Sequence, residues 1–131
     1  MSLFFTERPE KDSISAVSLT LLAHLGDAVF HLFEREREIF AVKSAKELHS
    51  QVNRRVNAEK QAELLDFLTA SLNDEERDLV RRARNIKASN YKRAVQSVSR
   101  KATAFEALLG YLYLKDQARL RFILSLTVTL I

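Results

Sequence analysis

Apolar residues at Val17, Leu21, Leu22, Leu25, Ala28, Val29, Leu32 and Phe33 recur at helical spacing, which predicts a helix from about Ser15 to Phe40. Its charged tail, Glu34 to Glu38, is expected to face water. A second helix is predicted over Ser44 to Val56, opened by Ser44 as N-cap with Glu47 three residues on. Asn57 caps a third helix through about Leu72. Asn73, with Glu76 at the capping-box position, opens a fourth that runs into a basic segment. Between Ala88 and Ser99 the apolar pattern fades around Asn90 and Tyr91, predicting a loop or a broken helix. It returns at Phe105, Leu108, Leu109, Leu112 and Tyr113, giving a helix from about Thr103 to Leu114, and Asp116 caps a short final helix through Leu124. Residues 1–13 contain Pro9 and mixed charge without periodicity. They are expected to form a flexible arm, leaving 14–131 as one folded domain.

Composition agrees with an all-α fold. The chain has 131 residues, only two glycines and one proline, so little interrupts helices, and eight Phe supply one core. It has no cysteine, which excludes disulfides and thiolate metal sites. The opening MSLFFTERPEKD has no basic stretch leading into an apolar run, and no apolar segment reaches membrane-spanning length, so a cytoplasmic protein without a membrane partner is expected. Charge changes the picture more. From Arg77 to Lys101, nine Lys or Arg stand against the single acid Asp78, although the whole chain carries only +4. The rest is therefore net acidic. Such a basic block on an acidic chain attracts a polyanion at one place, and nucleic acid is the common polyanion of that size.

The candidate chemistry begins at the two glycines. Each sits inside an apolar helix, where it costs about 1 kcal/mol relative to alanine. Gly26 immediately precedes Asp27, and Gly110 follows Glu106 by one helical turn. Missing side chains let two helix backbones approach, so residues 22–30 are expected to cross residues 105–114 and bring Asp27 near Glu106. Two such carboxylates repel unless one is protonated or a cation lies between them, and Mg²⁺ is the hard cation suited to a small carboxylate site. The alternative is that both acids simply face water. A zinc site on the face of His24, Asp27, His31 and Glu34 is disfavoured, because no HExxH-type pair exists and ligands along one helix spread too far for tetrahedral geometry. In the basic block, Arg77, Arg81 and Arg84 follow at steps of four and three, a positive stripe suited to hold a duplex through its phosphates; the alternative is a basic face that simply meets water. The absence of Trp and the scarcity of Tyr favour a double-stranded over a single-stranded nucleic acid.

The segments LAHLGDAVFHLF (22–33), ELHSQVNRRVNAEKQAELL (47–65), LVRRARNIKAS (79–89) and TAFEALLGYLYL (103–114) resemble the ribonuclease III superfamily. Within it they resemble the small bacterial Mini-ribonuclease III group, which lacks a separate double-stranded-RNA-binding domain. The resemblance spans about Ser15 to Leu124. It implies that 14–131 is a ribonuclease III-like catalytic domain, dimeric, with the stretch around LGDAVFHLF as contact surface. It also implies Mg²⁺-dependent cleavage of double-stranded RNA leaving 5′-phosphates, with Asp27 and Glu106 as catalytic metal ligands and precursor 23S ribosomal RNA as substrate. RNA contacts are expected from Arg81, Arg84, Asn85, Lys87, Lys92, Arg93, Arg100 and Lys101. Two further acids of full-length ribonuclease III are replaced here by Ala23 and Thr103, as in the Mini-ribonuclease III group. The stretch NIKASNYKRAVQSVSRKAT departs from the family's usual loop. A catalytically silent RNA-binding module is the competing reading, against which the retention of Asp27 and Glu106 weighs. A helical protein-interaction domain is the other, and it predicts no salt-sensitive RNA binding.

Overall fold

A computed structural model describes residues 3–5, 11–86 and 93–130. Among these the chain forms seven α-helices: α1 (Lys11–Ser15), α2 (Leu19–Glu38), α3 (Ala45–Val56), α4 (Ala58–Leu68), α5 (Asp74–Arg84), α6 (Arg93–Lys115) and α7 (Gln117–Leu130). A 3₁₀ turn, Thr69–Ser71, follows α4. No helix among the described residues is long and apolar enough to cross a membrane.

The helices begin where polar side chains can cap them. Ser18 Oγ accepts from Leu21 N–H at 3.2 Å, Ser44 Oγ from Glu47 N–H at 3.1 Å and Asn57 Oδ1 from Lys60 N–H at 2.9 Å. Asn73 and Glu76 form the reciprocal capping box, each bond 2.9 Å long. Asp116 Oδ1 accepts from Arg119 N–H at 3.0 Å and opens α7. Glu47 departs from the expected box: its carboxylate accepts from Lys43 N–H, one residue before the cap.

The long helix α6 is the axis of the molecule, packing against α1, α2, α4, α5 and α7. It buries Ala104, Phe105, Ala107, Leu108, Leu109 and Leu112 in succession, so it is apolar on more than one face over that stretch. Phe105 meets Phe30 of α2 edge to face, with ring centroids 4.9 Å apart. Such a pair contributes roughly 0.5–1.5 kcal/mol beyond its area burial.

Four expectations need correction. The first long helix starts at Leu19, not Ser15, because Ser18 caps it. The short α1 before it places Ile14 in the core. Glu34 does not face water: it is fully buried, where it accepts from Arg55 of α3 and from Arg37 at 3.2 Å. Residues 93–99, read as loop or broken helix, are the first turns of α6. Their apolar pattern is weak because Gln96, Ser97 and Arg100 line a cleft rather than the core. The final helix also continues past Leu124, since Thr127 is buried and Leu126 packs on the core. The part of the faded pattern at 88–92 lies outside the described residues.

Candidate active site

The crossing of α2 and α6 is as close as the glycines predict. A β-carbon on Gly26 would stand 1.6 Å from the backbone oxygen of Glu106, and one on Gly110 would stand 2.0 Å from that of Leu22. No side chain of any kind fits at either point. The contact therefore locks the register of the two helices and sets Asp27, one residue beyond Gly26, against Glu106.

The two carboxyl groups line the same cavity. Burial pushes the Glu106 carboxyl up, and the hydrogen bond and charge of Asp27 push it further, to about 8; a hydrogen bond from Gln61 acts in the opposite direction. Glu106 thus favours its protonated form at neutral pH, while the Asp27 side chain is 52% exposed and 3.4 Å from His31 Nε2. The pair opens into a shallow cavity of about 370 Å³, whose remaining lining is Thr20, Ala23, His24 and Thr103. The short side chains Ala23 and Thr103 leave the space beside the carboxylates open.

Gln61 is a member of this site that sequence reasoning missed. It is buried on α4 in register with Leu64, Leu65 and Leu68, and its Nε2 also donates to Val56 O at 3.0 Å. A polar residue on an apolar helical stripe was the available signal.

The basic residues separate into several positions. Arg81, Arg84, Asn85 and Arg100 line a second, larger cleft, of about 570 Å³, between α4, α5 and α6, together with Arg77. Arg81 also pairs with Asp78 at 2.7 Å. Lys101 pairs across helices with Asp66 of α4 at 3.0 Å. Arg93 is the first residue of α6. Lys87 and Lys92 lie outside the described residues.

Residues 20–117 match the family described as Ribonuclease III domain. The chain is 41% identical over 125 residues to a protein of Synechocystis sp. named Mini-ribonuclease 3, covering 95% of this chain and 85% of that one. It is 41% identical over 130 residues to the Mini-ribonuclease 3 of Thermoanaerobacter sp., with 96% and 91% covered. The Mini-ribonuclease 3 of Staphylococcus aureus is 32% identical over 130 residues, with 95% and 97% covered. A crystal structure of a Fusobacterium nucleatum protein superposes with a TM-score of 0.79 at 28% identity, covering 89% of this chain and 96% of that one.

Proposed function

The chain belongs to the ribonuclease III family and is an endoribonuclease; from that premise we propose that it cleaves double-stranded RNA, with Mg²⁺ held by Asp27 and Glu106, in the maturation of precursor 23S ribosomal RNA. The observation that carries the metal assignment is the carboxyl pair itself, two acids that the α2–α6 crossing sets on one cavity, where burial and Asp27 push the Glu106 carboxyl up to about 8. A hard divalent cation satisfies the same two groups without a proton, so the donor set fits Mg²⁺.

When bound, Mg²⁺ supplies positive charge to the scissile phosphate and acidifies water that attacks it. The protein does the rest. Glu106 would hold the metal in its anionic form, which the nearby Gln61 amide favours. Asp27, more exposed, reaches toward the open side of the cavity. Arg81, Arg84, Asn85 and Arg100, with Lys87, Lys92, Arg93 and Lys101, position the duplex through its phosphates. Cleavage leaves 5′-phosphates.

The working form is a homodimer in the cytoplasm, two sites cutting opposite strands. Leu21, Leu25, Ala28 and Leu32, spaced by four, three and four residues, form an apolar stripe on α2 on the side away from α6, and Leu21 and Leu32 are largely exposed. That stripe around LGDAVFHLF is the contact surface. A silent RNA-binding module would have no need of two acids set on one cavity by a crossing that excludes every side chain. The test is cleavage of a perfectly paired RNA duplex by wild type and Asp27→Asn, with Mg²⁺ and with EDTA. Cutting by wild type with Mg²⁺ alone, lost in the variant, is expected; binding without cutting, on the duplex and on precursor 23S RNA, would overturn the assignment.

A further inference from the structure

The larger cleft has features that a surface for duplex phosphates does not require. Its volume, about 570 Å³, lies within the roughly 300–1,000 Å³ of pockets that enclose a small ligand. Duplex RNA presents its phosphates on a convex surface and needs no enclosed apolar space. Yet the floor of this cleft is Leu65, Leu72 and Val80, all buried among the core residues.

The walls are cationic. Arg77, Arg81 and Arg84 line it from α5 and Arg100 from α6. The one acid at its edge, Asp66, is already paired with Lys101 at 3.0 Å. Arg77 donates to Thr69 O at 3.3 Å and Arg81 to Asp78, so both are partly engaged. Arg100 differs from them: its Nε is buried and finds no hydrogen-bond partner among the described residues. A guanidinium is charged at every working pH, and a buried donor left unpaired on it is costly. An anion seated in the cleft offsets that cost, taking bonds from the terminal nitrogens of Arg100 and, after a small rotation of the side chain, from Nε. Asn85, Gln96 and Ser97 add neutral hydrogen-bonding groups around the same space.

An apolar floor, an arginine wall and a polar rim together match one nucleotide: a base or sugar face, a phosphate, and base edges. We propose that the cleft between α4, α5 and α6 is a pocket for a single unpaired nucleotide, its base over Leu65, Leu72 and Val80 and its phosphate on Arg84 and Arg100. This rests on the endoribonuclease reading for one of two sources, the unpaired end of an RNA strand; a free nucleotide is the other. Arg100 lies six residues before Glu106, about 9 Å along the α6 axis, so one strand can reach both places.

The test uses the full chain in EDTA, with methyl-labelled Leu and Val, titrated with adenosine 5′-monophosphate, adenosine or inorganic phosphate. The monophosphate is expected to move the methyl resonances of Leu65, Leu72 and Val80, and to bind more tightly than either fragment. Arg100→Met is expected to weaken it about tenfold or more, as loss of a charge-assisted bond does. Ser97→Trp, which plugs the mouth from an exposed position and leaves every arginine in place, should weaken it similarly. Unchanged melting temperatures show that both variants fold. No shift of those methyls, shifts that persist in both variants, or phosphate binding as tightly as the monophosphate would each overturn the pocket. Competition then assigns the source. A duplex with unpaired ends displacing the monophosphate at lower concentration than a blunt one identifies the RNA strand; equal displacement identifies the free nucleotide. Failure of the pocket leaves duplex cleavage by wild type, and its loss in Asp27→Asn, untouched, so the two readings fail separately.

Discussion

Glu106 shows how much one side chain's surroundings decide. In the unfolded chain its carboxyl titrates near the ordinary 4.5, while in the folded, metal-free protein burial and Asp27 hold the proton up to about 8. Between those values the native state carries more protons than the unfolded state, so metal-free stability falls as pH rises from about 4.5 to about 8. Glu106→Gln is expected to flatten this part of a melting-temperature profile taken in EDTA from pH 5 to 8.5. Millimolar Mg²⁺ should raise the melting point of wild type at pH 8, where the proton is leaving, and leave the variant unmoved. An unchanged slope in the variant would show that other groups carry the effect. The acid pair was legible because each carboxylate adjoins or precedes by one turn a glycine in an apolar helix. Gln61 was less so: nothing local to α4 says which buried group its amide meets. Glu34 was misread for a related reason, since its partner Arg55 comes from a different helix.

At the scale of elements, the α2–α6 crossing decides whether there is a site at all. Gly26→Ala would gain roughly 1 kcal/mol of helix propensity. The added methyl, however, would stand 1.6 Å from a backbone oxygen, which cannot swing away as a flexible side chain would. Overpacking alone costs about 1–3 kcal/mol, and separating two backbones lies at or above the top of that range. The clash wins. We expect Gly26→Ala to lower stability by about 2 kcal/mol or more in urea denaturation, and duplex cleavage to fall further than the unfolded fraction explains, because Asp27 and Glu106 move apart. A variant as stable and active as wild type would remove the crossing from the argument. The N-caps Ser44, Asn57, Asn73 and Asp116 were readable because a cap is a bond between residues three apart in sequence. The start of α6 was not, because its first turns face a cleft and carry no apolar stripe.

For the whole molecule, the apolar stripe on α2 and the basic cleft are surfaces whose use depends on what meets them. Leu32 is 51% exposed on that stripe. In light scattering after gel filtration, wild type is expected at twice the 15.0 kDa chain mass, and Leu32→Asp at the single-chain mass with duplex cleavage reduced. A single-chain mass for fully active wild type would refute the dimer. The sequence by itself determined the helical class, the caps and the side of each helix turned to the core, since these depend on residues within one or two turns of each other. It also marked Asp27 and Glu106, because a glycine inside a helix is a cost with few explanations. Only the tertiary structure decided the meeting of those acids on one cavity, the burial of Glu34 and Gln61, and the gathering of four arginines around an apolar floor. Each of those needs groups from separate helices to meet, and the energies that follow from partial exclusion of water are absent from any single segment of the chain.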